Sequence, residues 1–312
     1  MTTNLLNLTR PRALFAGVLV ALAGTVPMAH AAISFSQAGA NEFAFDTGIL
    51  RGKLRADGKS SGLSSVVHLP SGTRLDRSMG LFSHYRVFSA NKRYGTATWD
   101  WPSEARLTDG DVEVRWPAAA ERPFELRALY HWSGPNTLDL TTSIEAKADL
   151  KGFESFLASY FAESFTNALA YVAEAPEARG GKGFMAAEKS LGTWLAFPRD
   201  DAAVALIRDG RWKFEPNPVD WVILPRLAAP VGVRCCPATG LKAVLMSPST
   251  DAFALLMPEQ LEGHTSMYFS LFGRDFKAGE KASARARMVV GTGMTGEQTA
   301  NLYSDYLKLN RK

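Results

Sequence analysis

The chain has 312 residues, 35 Lys and Arg against 31 Asp and Glu, and a formal net charge of +4. The basic residues are scattered rather than clustered, so there is no electrostatic footprint for a nucleic acid partner. Only two cysteines, Cys235 and Cys236, are present, too few for a disulfide framework.

Residues 1–31 read as an export signal. Arg10 and Arg12 precede an apolar run from Ala13 to Val26, and Ala29 and Ala31 occupy the small positions of a cleavage site. The run is shorter than the ~20 residues that a spanning helix needs. The mature chain would begin at Ala32, in a periplasmic or extracellular setting, with no membrane span left. Its formal charge would fall from +4 to +2, because the segment carries two arginines and no acid.

Strand signals then dominate. FAFDTGIL, LSSVVHLP, MGLFSHYRVF, TATWDWP, VEVRWP, FELRALYHW, TLDLTTSIEA, TWLAFP, AAVALI, AVLMSP, FALLMP, SMYFSLF and ARARMVV are short runs rich in β-branched and aromatic residues, punctuated by Gly, Pro, Asn and Asp. Alternation is plain in VEVRW, where Val112, Val114 and Trp116 share one face and Glu113 and Arg115 the other. Residues 151–172 also show helical spacing at Phe153, Phe156, Leu157, Tyr160 and Phe161, but their aromatics and strand-like neighbours favour strand. EAPEARGGKG, residues 174–183, reads as a loop. At the end, Thr295 and Gln298 form a capping box before an apolar stripe of Leu302, Tyr303, Tyr306 and Leu307. The expectation is an all-β chain: a large antiparallel β-sandwich over residues 32–294 with a C-terminal amphipathic helix over 295–312 packed on it.

Several segments concentrate polar chemistry. In GLFSHYRVFSANKRYG, residues 80–95, strict alternation would put His84 and Arg86 on one face, with Tyr85 and Val87 opposite. Asn91 and Arg93 would share a face by the same spacing, and Tyr94 adds a hydroxyl. Fork-shaped donors and amides on a rigid sheet suit adjacent sugar hydroxyls; a solvated sheet face is the alternative. Trp99 and Trp101 in TWDWP would project together and could stack on pyranose rings, or could be core. In EQLEGHTSMYF, Glu262 and His264 stand two apart and could form a proton-transfer pair, or an exposed turn. Neither H-x-H nor H-E-x-x-H spacing occurs, so the histidines suggest no metal site, and no cofactor fingerprint is present. Adjacent Cys235 and Cys236 could form a strained vicinal disulfide, two buried thiols or an intermolecular bond.

The layout resembles the galactose mutarotase-like β-supersandwich. FSLFGRDFKAGEKASARARMVV, from Phe269 to Val290, is similar to the end of that family, with K-A-G-E at the turn that often reads L-x-P-G-E. NKRY, residues 91–94, resembles its asparagine–arginine sugar element with one lysine inserted. SYF, residues 159–161, is similar to its H-x-Y-F segment, but Ala158 or Ser159 stands where the histidine would be. MPEQLEGH, residues 257–264, falls where the family carries its catalytic glutamate, so Glu259 and Glu262 compete for that place. The resemblance implies a carbohydrate ligand. Epimerases, lyases, hydrolase domains and pure glycan binders all use this fold, so it does not fix an activity.

The expected wall of the site comprises Arg86, Asn91, Arg93, Tyr94, Trp99, Trp101 and Glu259, with His84, Glu262 and His264 as candidate acid–base groups. An enzyme should hold a carboxylate and a histidine or tyrosine in one pocket with the arginines; His84 and Glu262 on opposite sides of the sandwich would sink the enzyme reading that joins them. A binding module should show an aromatic platform without such a pair. An envelope scaffold should show an exposed apolar patch or a symmetric interface instead.

Overall fold

A computed structural model describes residues 1–2, 33–59, 61–77, 79–175 and 183–309. The segment read as an export signal lies outside them apart from Met1 and Thr2, as does most of the 174–183 loop. Among the described residues, no helix is long and apolar enough to cross a membrane.

Alternating apolar residues build three largely antiparallel sheets. The nine-stranded sheet runs, edge to edge, Phe184–Ala186, Asn167–Val172, Leu227–Cys236, Leu241–Met246, Lys281–Thr292, Thr137–Ala146, Phe124–Gly134, Asp111–Trp116 and Glu104–Thr108. The seven-stranded sheet runs Val222–Ile223, Trp194–Pro198, Ala252–Pro258, Ser266–Phe276, Leu150–Tyr160, Ser83–Ser89 and Lys92–Arg93. Its edge pair, Trp194–Pro198 with Val222–Ile223, is parallel. A five-stranded sheet between Phe35 and Arg74 adds Phe43, Phe45, Leu54 and Leu63 to the main core. The fold is thus the all-β sandwich expected, and residues 150–160 are strand rather than helix.

The main core lies between the large sheets, where Val114, Leu126 and Leu140 of one meet Val87, Leu157 and Phe269 of the other. Each sheet also has a second apolar face. On the nine-stranded sheet, Val231, Val244 and Val289 are covered by Tyr303 and Tyr306 of the helix Gly296–Leu309. Its capping box is reciprocal: Gln298 N donates to Thr295 Oγ1 (3.1 Å) and Thr295 N to Gln298 Oε1 (2.8 Å). On the seven-stranded sheet, Tyr85, Phe156, Ala158, Tyr160 and Tyr268 pack with Trp212 and the short helix Asp201–Arg208.

The two sheets approach closely at Gly232. A Cβ there would meet Met267 Sδ of the facing sheet at 2.3 Å. Gly232→Ala is therefore expected to cost about 1–3 kcal/mol by overpacking. Urea unfolding should show a lower midpoint at unchanged slope, and a smaller cost in a Met267→Val background, where the contacting sulfur is gone.

Candidate functional site

The strand Ser83–Ser89 carries the decisive local feature. It pairs with Leu150–Tyr160 as Val87↔Ser155 and His84↔Leu157, so Tyr85 and Arg86 together oppose the single residue Phe156. This is a β-bulge, which re-aims a side chain by one position. The alternation expected from sequence is broken there. His84 points between the sheets, with Nδ1 3.2 Å from Ser155 Oγ, Nε2 3.2 Å from Thr142 Oγ1, and its ring edge-on to Trp116. Tyr85 and Arg86 both turn outward.

Outward they meet a cleft of about 680 Å³. Its floor is Tyr85, Arg86, Phe156, Tyr160 and Tyr268, from three adjacent strands. One wall is the segment from Trp212 through Asn217, Pro218 and Val219 to Trp221; Trp194 adds another aromatic. The rim holds Arg77, Met79 and the turn Glu262–Gly263–His264.

The Trp212 wall is fastened from below. Arg211, fully buried, pairs through Nη1 with Glu154 Oε2 (2.9 Å) and through Nη2 with Asp209 Oδ2 (2.8 Å). Ser270 Oγ donates to the other Glu154 oxygen (2.6 Å). Burial pushes the Glu154 carboxyl pKa up, against the pull of Arg211 and Ser270. Breaking such a pair by removing one partner costs about 3–5 kcal/mol, because a buried charge is left alone.

Arg86 has no comparable partner. It is buried, its Cζ lies 5.0 Å from the Tyr85 ring centre and 5.4 Å from that of Trp212, and Nε and Nη1 have no hydrogen-bond acceptor. Tyr160 and Tyr268 beside it are held neutral by burial, with the Tyr268 phenol pushed up to about 12. At the rim, Glu262 accepts from His264: Nδ1 lies 2.7 and 2.9 Å from the two carboxylate oxygens, and the backbone N donates to Oε2 (2.8 Å). The His264 ring sits 5.4 Å from Trp194.

Of the expected residues, the cleft gathers Arg86, Glu262 and His264. His84 is on the opposite face of the seven-stranded sheet from Glu262, the outcome that sinks the enzyme reading joining the two. Asn91 sits exposed in the turn before Lys92–Arg93 at φ +66°, a place set by backbone rather than by a ligand. Arg93 lies outside the lining. It donates to Thr96 O (2.6 Å), Phe214 O (3.3 Å) and Pro216 O (2.6 Å), and so ties down the chain leading to the Asn217–Val219 wall. Burial, aided by Arg86, pushes its pKa down to about 10. Tyr94 is core, bonded to Ser89 and edge-on to Phe124.

Trp99 and Trp101 do not project together. A 3-10 turn at Thr98–Asp100 replaces the expected strand; Trp99 stacks behind Tyr85 at 4.7 Å, while Trp101 enters the main core. Glu259 is buried and accepts from Leu261 N (2.7 Å), closing the turn that presents Glu262. The regular register of Leu227–Cys236 puts Cys235 and Cys236 on opposite faces, and both are free thiols. Trp194, Trp212, Trp221 and Tyr268 were not anticipated. The one signal available was the density of aromatics around the Pro- and Asn-rich stretch RWKFEPNPVDW.

No family model matches the chain, and no curated protein matches it in sequence. Solved structures similar to it include galactose 1-epimerase from Lactobacillus acidophilus NCFM (11% identity, 84% of this chain and 98% of that one, TM-score 0.46) and an aldose epimerase homologue from C. elegans (9%, 83% and 100%, 0.46). A third is heparan sulfate lyase from Pedobacter heparinus (8%, 85% and 37%, 0.48). At this distance these structures bear on no activity, and the class assigned here, a three-sheet antiparallel β-sandwich with an open aromatic cleft on one sheet, rests on the strand order and the cleft.

Burial pushes the His84 imidazole pKa down to about 3. An unfolded histidine titrates near ~6.5, so below that pH the unfolded chain binds the extra proton. The stabilisation from neutral His84 is complete above that value and is lost as pH falls. Between pH 7 and pH 5 it should remove about 2 kcal/mol of unfolding free energy. His84→Gln should flatten this part of the stability–pH profile measured by urea unfolding.

Proposed function

We propose that the protein is exported and recognises a carbohydrate in the cleft on the seven-stranded sheet. Support for export comes from residues 1–31: a charged start, a short apolar run and an A-x-A exit. The observation that carries the ligand class is the lining itself. Tyr85, Phe156, Trp194, Trp212 and Trp221 offer apolar ring faces, interrupted by polar groups at Arg77, Arg86, Glu262 and His264. Sugars present that combination in reverse, with CH faces for stacking and hydroxyls for directed hydrogen bonds.

A panel of neutral and acidic mono- and oligosaccharides should contain at least one that raises the unfolding temperature in proportion to the logarithm of its concentration. Trp194→Ala, at a half-buried position, should weaken that binding about tenfold without loss of fold. Loss of the shift in Arg93→Ala would reflect slackening of the 214–219 wall rather than a lost contact. An absence of any saccharide shift would overturn the carbohydrate reading.

A second reading, catalysis at the rim by Glu262 and His264 without His84, is favoured by the bond between those two inside the same cleft. With Nδ1–H donated to Glu262, Nε2 is left as acceptor and could take a proton from a sugar hydroxyl. Tyr160 and Tyr268, neutral in the cleft, could donate one. If this reading holds, Glu262→Gln lowers turnover of the bound sugar by about 100-fold or more with little change in affinity. A bound sugar recovered with unchanged linkage and anomer would leave the protein a binder.

A further inference from the structure

The cleft is unbalanced in its hydrogen-bonding groups. Its buried polar atoms without a partner are Arg86 Nε, Arg86 Nη1 and Trp221 Nε1, all of them donors. Its one carboxylate, Glu262, already has both oxygens engaged by His264. The second cation in the lining, Arg77, is paired with Glu163 (3.0 Å) and donates to Gly263 O. Arg86 forms no ion pair among the described residues, whereas fully buried Arg211 has two carboxylates.

A buried cation with empty donors costs stability unless something compensates it. The aromatic faces of Tyr85 and Trp212 compensate part of that cost and hold the guanidinium in place. They accept none of its N–H groups.

We propose that the ligand of this cleft is an acidic sugar whose anionic oxygens, carboxylate or sulfate, are taken by Arg86 at the cleft floor while its ring lies against the tryptophan wall. This deepens the carbohydrate reading and rests on it. The chemistry is that of a charge-assisted hydrogen bond in a partly desolvated site. Such bonds give about 1.5–3 kcal/mol, or roughly tenfold to a hundredfold in affinity.

The test is calorimetric titration of the purified protein with four oligosaccharides of equal length: a galacturonate oligomer, its methyl ester, a sulfated galactose oligomer and the neutral galactose oligomer. The expected result is that the galacturonate or the sulfated oligomer binds at least tenfold more tightly than the ester and the neutral oligomer. The arm that prevails distinguishes carboxylate from sulfate. Arg86→Gln should abolish the preference by weakening the acidic arm at least tenfold more than the neutral arm, and added salt should weaken the acidic arm more than the neutral one. A second variant guards against misfolding as the cause: Arg86→Met, which removes an unpaired buried charge, should unfold at the same temperature as the parent or higher.

Equal binding of acidic and neutral oligomers, or equal weakening of both in Arg86→Gln, overturns the proposal and leaves the carbohydrate reading standing. A preference for acid that survives Arg86→Gln but vanishes in Arg77→Gln also overturns it, by moving the anion to the rim. Binding of none of the four overturns the acidic-sugar proposal; only an absence of any shift across the wider saccharide panel overturns the carbohydrate reading as well.

Discussion

The site depends on one extra residue in one strand. Were the strand Ser83–Ser89 regular, Arg86 would follow His84 into the space between the sheets, against the apolar surroundings of Trp116 and Leu157. By setting Tyr85 and Arg86 both against Phe156, the bulge lets the strand bury a neutral histidine on one side and present a cation on the other. The same step gives Arg86 the adjacent Tyr85 ring as a neighbour. His84 remains useful to the core. Its two nitrogens meet hydroxyls from both sheets, Ser155 from one and Thr142 from the other, so it joins the sandwich where it would otherwise have needed an apolar side chain.

The cleft wall is a loop, and loops need anchoring to act as walls. Two arginines supply it from opposite ends. Arg211 plugs into Glu154 beneath the sheet surface and sets the position of Trp212. Arg93 captures the carbonyls of Phe214 and Pro216 and so holds the approach to Asn217. Both use guanidinium forks to make several bonds from one side chain. Read from sequence, Arg93 looks like a sugar-contacting residue; its structural work is to make the contacting surface hold still. Arg86 differs from both because two of its nitrogens, Nε and Nη1, meet no acceptor and it forms no carbonyl or carboxylate anchor comparable to theirs among the described residues.

The fold was legible because its physics is local. Alternation in VEVRW and TLDLTTSIEA marks strands with one core face, and T-G-E-Q announces the final helix through a cap that the structure closes with two bonds. The stretch 150–160 was harder because it is buried on both faces, which erases the polar–apolar alternation and leaves only aromatic composition to argue for strand. The site was half legible. Arg86, Glu262 and His264 could be picked by chemical type, but their grouping depends on three strands and a loop meeting in space. The companions chosen by period two failed wherever the period changed: at the bulge for His84, at the turn for Asn91, at the 3-10 turn for Trp99 and Trp101. Trp212 and Trp221 carry no period because Trp212 sits in a single 3-10 turn, Arg211–Lys213, and Trp221 in the irregular chain that follows it.

What remains in the cleft is two polar centres in different surroundings. Arg86 lies at the floor, dehydrated and flanked by rings, where an interaction with charge is strengthened by the low dielectric. Glu262 and His264 lie at the rim, with His264 exposed, where the same interaction is screened. The floor therefore offers a strengthened electrostatic contact beside the aromatic wall, and the rim offers a screened, solvent-facing acid–base pair. This division also explains how the cleft can be reused. A change at the Gln260–His264 turn would alter the rim's polar groups without touching the bulge, the Arg211 plug or the tryptophans of the wall.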